Sequence, residues 1–256
     1  MIAPSSQKNF ILITGVTASG KGSLAFEVAK KLDAEILSVD SMKVYRRMDI
    51  GTAKPPAEKR SQIPHHLIDV VEPSQSFSVG KYFELAEAAI EDIRTREKPV
   101  VAVGGTALYL KALLYGLFEG PGKDAHIRMK LKGIAQTRGL AHLHKRLEHI
   151  DPEAAERIHP NDAKRIVRAL EVYELTGKPI SAFQQQWDRR RPRHPWTMIG
   201  LRREKKAENH RINMRVKSMI EKGLVDEVKS LMHEPEPLSK QAAAAIGYAE
   251  IIDHLN

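Results

Sequence analysis

The residues best suited to chemistry lie near the start of the chain, in Gly15-Val16-Thr17-Ala18-Ser19-Gly20-Lys21. The spacing is G-x-x-x-x-G-K. Glycines let backbone N–H groups turn inward around an anion, a following helix N-terminus adds partial positive charge, and Lys21 adds a full one. The pattern asks for a phosphate or diphosphate. After the lysine this motif usually carries Ser or Thr, whose hydroxyl ligates Mg²⁺; here the residue is Gly22. Ser23, rotated by about 100° if the segment is helical, is then the candidate metal ligand. The phosphate cradle survives the change.

Further candidates sit where strands should end. The stretch 34–39 (AEILSV) reads as a short buried strand, with Asp40-Ser41 just past it. Ligands of open α/β sheets bind beyond the carboxyl ends of strands, which puts Asp40 near the glycine loop; its other reading is a turn cap. A second strand, 99–103, runs into Gly104-Gly105-Thr106 and a helix over 107–115. Two roles are open to Thr106, capping that helix or presenting its hydroxyl to a substrate. His65-His66 are adjacent in an extended segment, so they point opposite ways and are read as structural hydrogen bonders, not metal ligands.

These groups need a scaffold. Phe10 to Ile13 reads as a buried strand, and Leu24, Ala25, Val28 and Leu32 recur on one helical face. Residues 1–8 read as a disordered start. Residues 40–69 lack periodicity and carry Lys43, Arg46, Arg47, Lys54, Lys59 and Arg60, the mark of a long functional loop. Amphipathic spacing predicts a helix over 78–96. From about 127 to 186 only helical patterns appear, at 127–138, 140–148, 152–158 and 163–175. The last places Lys164, Arg165 and Arg168 near one another. The arginine-rich run 187–194 is either a nucleic-acid patch or a solvated linker. Beyond it come a late strand (196–201), helices over 207–222 and 224–232, a proline-bearing loop, and a closing helix over 242–255. The expected architecture is a three-layer α/β core of the P-loop NTPase type with a mainly parallel sheet (1–120 and 195–256), interrupted by an all-helical insertion (121–194).

Composition bounds the rest. The chain has 256 residues, 42% of them hydrophobic, enough for one large domain or a core plus an insertion. No apolar run reaches a membrane span and no signal-peptide pattern is seen. With no cysteine, disulfides and cysteine metal sites are excluded, which fits a cytoplasmic protein. A net charge of +9 makes a polyanionic partner plausible.

Taken together, the motifs resemble those of the tRNA dimethylallyltransferase (tRNA isopentenyltransferase) family. The stretches that carry the resemblance are the glycine loop, Asp40-Ser41-Met42-Lys43-Val44-Tyr45-Arg46, Met48-Asp49-Ile50-Gly51-Thr52-Ala53-Lys54, and Pro64-His65-His66-Leu67-Ile68-Asp69. Further on come Gly104-Gly105-Thr106, Asp151-Pro152, His210-Arg211-Ile212 with Arg215, and Ile246-Gly247-Tyr248. The resemblance implies transfer of a dimethylallyl group from dimethylallyl diphosphate to N6 of an adenosine beside the tRNA anticodon. On that reading Gly15, Thr17, Ala18, Ser19, Gly20, Lys21 and Gly22, with Arg215, bind the donor's diphosphate. Asp40, Thr106 and Arg211 act in catalysis, Asp40 accepting from the N6 amine and the other two binding the leaving diphosphate. Asp40, Ser41, Met42 and Lys43 contact tRNA, as do Lys164, Arg165, Ile166, Val167 and Arg168 in the insertion, and Ile246, Gly247 and Tyr248. The resemblance further implies Mg²⁺, the anticodon stem-loop as partner, and a monomer.

Three departures from the family stand out: Gly22 for Ser or Thr, Lys43 where Gln is common, and an end at Asn256 where the family continues with a basic, aromatic-bearing tail. Three competing readings remain: prenyl transfer to free adenine nucleotides, a non-catalytic tRNA-binding paralogue, and a P-loop kinase. Against the kinase, Val103 is followed by Gly104-Gly105 and not by the aspartate such enzymes place after an apolar strand.

Overall fold

A computed structural model of the chain describes residues 10–117, 120–184 and 191–256. The expected disordered start and positions 187–190 of the arginine-rich run lie outside them. The elements in order are β1 (Phe10–Gly15), α1 (Lys21–Leu32), β2 (Glu35–Val39), α2 (Ala57–Gln62), β3 (His65–His66), α3 (Val79–Thr95), β4 (Val100–Gly104) and α4 (Ala107–Tyr115). There follow α5 (Ala125–Arg138), α6 (Leu140–Ile150), α7 (Pro152–Arg157), α8 (Ala163–Thr176) and α9 (Ile180–Gln184). The chain closes with β5 (Thr197–Leu201), α10 (Lys205–Glu221), α11 (Leu224–Met232), α12 (Lys240–Ala243) and α13 (Tyr248–Leu255). It divides into two compact units, Met1–Gly116 with Pro192–Asn256, and Leu117–Arg191.

In the first unit the five strands form one sheet in the order β3-β2-β4-β1-β5, every pair parallel. Parallel strands need cover on both faces, and the strand sequences are apolar on both. Phe10, Leu12, Leu37, Val39 and Ala102 pack on one side with Tyr82, Ala86 and Ile90 of α3 and Leu113 of α4. Ile13, Ile36 and Val101 pack on the other with Ala25, Phe26 and Ala29 of α1. Each large side chain so buried contributes about 1.5–3 kcal/mol. The result is the expected three-layer α/β core, with the glycine loop at the carboxyl end of β1.

The long segment 40–69 is more ordered than its lack of periodicity predicts. It contains α2 and β3, and its turns are clasped by a buried ammonium. Lys54 Nζ donates to Asp49 Oδ1 at 2.6 Å and to Asp69 Oδ1 at 2.5 Å, while Arg60 reaches Asp69 Oδ2 at 2.6 Å. Burial would raise the Asp69 pKa, but Lys54 and Arg60 hold it below the usual carboxylate value. The histidines bond structurally: His65 Nδ1 meets the Ile63 carbonyl at 2.7 Å, and His66 Nε2 meets Glu35 Oε2 at 2.7 Å. The single closing helix is corrected to two, because Gly247 adopts φ +89°, a left-handed conformation that breaks the run before α13.

The second unit is helical throughout its secondary structure, with Leu131, Leu143, Leu147, Ile166, Val167 and Leu170 in its core. Glu171 is fully buried there and takes Arg128 on both oxygens, at 2.7 and 2.8 Å, Arg168 at 2.7 Å and the Asp124 amide at 2.8 Å. Burial pushes its carboxyl up, but the two arginines overcome this and hold it down at about 2.

Candidate active site

The glycine loop wraps the mouth of a cavity of about 630 Å³ in the first unit. Two glycines are required by position. A Cβ on Gly15 would stand 2.7 Å from the Leu201 carbonyl oxygen of β5, and Gly20 turns into α1 with φ +95°. Gly20 offers no side-chain cap, so the first amides of α1 are left for an anion in front of them. Ser19 Oγ is buried on the cavity wall without a hydrogen-bond partner. Lys21 folds back, Nζ donating to the Val16 carbonyl at 3.0 Å. Its pKa is lowered by burial; Asp40 opposes the shift and Arg215 adds to it.

The loop is gripped from the far end of the chain. Arg211 Nε, from α10, donates to the Ala18 carbonyl at 2.9 Å, and Arg203 Nε donates to the Ser19 carbonyl at 2.9 Å. Arg215, one turn after Arg211, lines the same cavity, as do His210 and Met214. Arg203 had no place among the expected site residues. The signal was available: Arg202-Arg203 directly follow β5, at the same carboxyl edge of the sheet that pointed to Asp40.

Opposite the loop stand Asp40 and Lys43. Asp40 Oδ1 accepts the amides of Met42 at 2.9 Å and Lys43 at 3.3 Å, which is the turn-capping geometry. Asp40 still lines the cavity and sits close enough to Lys21, Lys43 and Arg215 to act on their charges. Burial is the main cause lowering the Lys43 and Arg215 pKa values, with Asp40 opposing it.

Thr106 does not cap α4 with its side chain. Its Oγ1 accepts the Ser41 amide at 3.1 Å and donates to Ser41 Oγ at 3.4 Å. That pairing is possible because a Cβ on Gly104 would fall 2.0 Å from the Val39 carbonyl oxygen, so only glycine lets β4 end so close to β2. Thr106, Ser41 and Met42 are not among the residues lining the cavity; Thr52 and Ala53, from the G-T-A-K stretch, are.

The lining does not fit a magnesium ion held by the protein. Gly22 has no hydroxyl, Ser23 supplies one neutral oxygen, and Asp40 is the one carboxylate among the lining residues, with Oδ1 already in a turn. Among the described residues no group of three or more His, Cys, Asp or Glu side chains is placed to hold a metal.

Several expected tRNA-contact side chains are corrected. Ile166 and Val167 fill the core of the helical unit. Arg168 is spent on Glu171 and on the carbonyls of Pro121, at 2.7 Å, and Gly122, at 3.1 Å. The exposed members of that stretch are Lys164 and Arg165, the latter paired with Asp162 at 3.3 Å. Tyr248 is fully buried: its ring lies on Gly51 and its hydroxyl donates to Glu227 Oε1 at 2.5 Å, while Glu227 accepts the amides of Asp49 and Ile50. Ile246, by contrast, is 89% exposed.

A parallel sheet, a glycine loop at the end of β1 and a cationic cavity before a helix N-terminus define a protein of the α/β class with a P-loop-like fold. The chain matches the IPP transferase family over residues 43–256 and belongs to that family. It is 46% identical over 245 residues to a tRNA dimethylallyltransferase of Geobacter metallireducens, covering 96% of this chain and 79% of the relative. It is 47% identical over 251 residues to the corresponding protein of Thermoanaerobacter pseudethanolicus, with the same coverages of 96% and 79%. Among solved structures it is similar to the tRNA isopentenylpyrophosphate transferase of Bacillus halodurans, with 40% identity, TM-score 0.66, and 97% of this chain and 77% of that one covered. It is also similar to a eukaryotic dimethylallyltransferase acting on tRNA, with 30% identity, TM-score 0.80, and coverages of 97% and 63%.

Proposed function

We propose that this chain transfers a dimethylallyl group from dimethylallyl diphosphate to N6 of the adenosine adjacent to the anticodon in tRNA. The observation that carries the proposal is one cavity holding a P-loop, the cations Lys21, Arg211 and Arg215, and the carboxylate of Asp40. Membership of a transferase family and the names of the relatives support it.

The chemistry follows from those groups. The free amides of α1 and the cations hold the donor's diphosphate, which gains negative charge as the allylic C–O bond breaks. Fixed donors aimed at that charge are worth more in the transition state than in the ground state. Arg211 and Arg203 act partly by fixing the loop through its carbonyls. On the acceptor side, N6 of adenine is a poor nucleophile because its lone pair is delocalised. Asp40 Oδ2, outside the turn that uses Oδ1, accepts from the amine as the C–N bond forms. Thr106 holds Ser41 and so braces the turn that aims Asp40. The target base leaves its stack to enter the cavity, as with other base-modifying enzymes.

The tRNA partner is supported by the net charge of +9 and by the relatives' names, and Lys164, Arg165 and the exposed Ile246 are the side chains assigned to it. Among the described residues no helix is long and apolar enough to cross a membrane; we read the protein as a cytoplasmic monomer working on the anticodon stem-loop. The test is a transfer assay with labelled dimethylallyl diphosphate and either unmodified tRNA or AMP as acceptor. Label on tRNA alone is expected; label on AMP alone contradicts the tRNA assignment.

A further inference from the structure

The cavity is strongly cationic. Four cationic side chains line it, Lys21, Lys43, Arg211 and Arg215, against the single carboxylate of Asp40. At the position where such a loop normally supplies a metal-ligating hydroxyl stands Gly22. Nothing crowds it: a Cβ built there meets no atom within 4 Å. Ser or Thr would fit, so the missing hydroxyl is not forced by packing.

Lys43 is the additional cation. Its backbone amide is held by Asp40 Oδ1, the turn that also fixes Met42, so its side chain leaves a rigid point at the end of β2. The side chain lies where the main cavity adjoins a smaller one of about 230 Å³, lining both, and Gly22 and Ser23 line both as well. Lys43 therefore lines the same two cavities as Gly22, the residue that stands in place of the usual metal-ligating hydroxyl. Unlike Lys54, whose ammonium is consumed by Asp49 and Asp69, it has no acidic hydrogen-bond partner among the described residues.

We propose that Lys43 replaces the divalent ion: its ammonium joins Lys21, Arg211 and Arg215 around the diphosphate, which this chain binds without magnesium. The inference rests on the donor-site reading above. A lysine ammonium is a compact point charge well suited to phosphate oxygens. Placed beside a loop that has lost its metal ligand, it neutralises the phosphate charge that the ion otherwise meets. Burial lowers the lysine's pKa in the free protein, and an incoming anion works against that shift by favouring the charged ammonium.

The test is calorimetric titration of the full chain with inorganic pyrophosphate, in EDTA and in excess Mg²⁺. The wild-type chain is expected to bind within about threefold in the two conditions. Lys43→Gln should weaken binding in EDTA by roughly 10–100-fold, the scale of one charge-assisted contact, and Lys43→Arg should restore most of it. Adding Gly22→Thr to Lys43→Gln should make binding magnesium-dependent. A wild-type affinity that collapses by more than about tenfold in EDTA overturns the inference and needs no variant to read. Binding in neither condition, or unaltered binding by Lys21→Ala, would instead remove the donor site itself.

Discussion

Asp40 accepts the Met42 amide at 2.9 Å through Oδ1, and the Lys43 amide through the same oxygen, so one carboxylate both closes a turn and lines the cavity at the glycine loop. The two roles use different properties. Capping needs only an acceptor, which asparagine also supplies; assisting the amine needs charge and basicity.

Asp40→Asn therefore separates them. The variant should melt like the wild type, bind dimethylallyl diphosphate with little change, and lose about 10²–10⁴-fold in kcat. A folded variant turning over at near-normal rate would reduce Asp40 to a turn cap.

Lys21 stands at the entrance to α1, with Nζ on the Val16 carbonyl in the free protein. Removing it takes charge from where negative charge grows. Lys21→Ala should weaken donor binding and slow transfer by roughly 10²–10³-fold or more. Activity within a few-fold of wild type, measured at saturating tRNA, would contradict the P-loop assignment.

In the helical unit, Arg165 and Arg168 are expected to part company. Lys164→Ala with Arg165→Ala should weaken tRNA binding and flatten its salt dependence, because phosphate contacts release counterions, with melting unchanged. Arg168→Ala should destabilise the protein by about 1–3 kcal/mol, since it strips a charged hydrogen bond from buried Glu171. Filter binding across a salt series, read beside thermal melts, checks both.

Glu171 also sets an acid limit. Its folded pKa, about 2, lies below its ordinary value of 4.5, so its contribution is complete above about pH 4.5 and is lost as pH falls toward about 2. Glu171→Gln should remove that part of the acid limb in a pH series of melts. An acid limb of unchanged steepness in a folded variant would show that other carboxylates set it.

Much of this was legible because it is local. The glycine loop, the strands that end at Gly15, Val39 and Gly104, and the helices over Val79–Thr95 and Ala163–Thr176 follow from short-range pattern and turn chemistry. What escaped depends on distant partners. Arg203 meets Ser19 across most of the chain, and no local spacing encodes that bond. The order in 40–69 comes from Lys54 and Asp69 finding each other, not from periodicity. Tyr248 looked like a recognition residue and is instead a pillar under Gly51, because its partner Glu227 lies on another helix. Ile166 and Val167 are kept from solvent for a simpler, local reason: they lie on the apolar face of α8, which separates them from exposed Lys164 and Arg165.

The central claim is the transfer itself, from an allylic diphosphate held by Lys21 and the glycine loop to a base of tRNA. Its most direct test is incubation of the chain with dimethylallyl diphosphate and unmodified tRNA, followed by digestion and mass analysis of the nucleosides. The account predicts adenosine carrying one dimethylallyl group on N6, confined to the position beside the anticodon. Unmodified adenosine throughout, from a folded protein that binds both substrates, would contradict it.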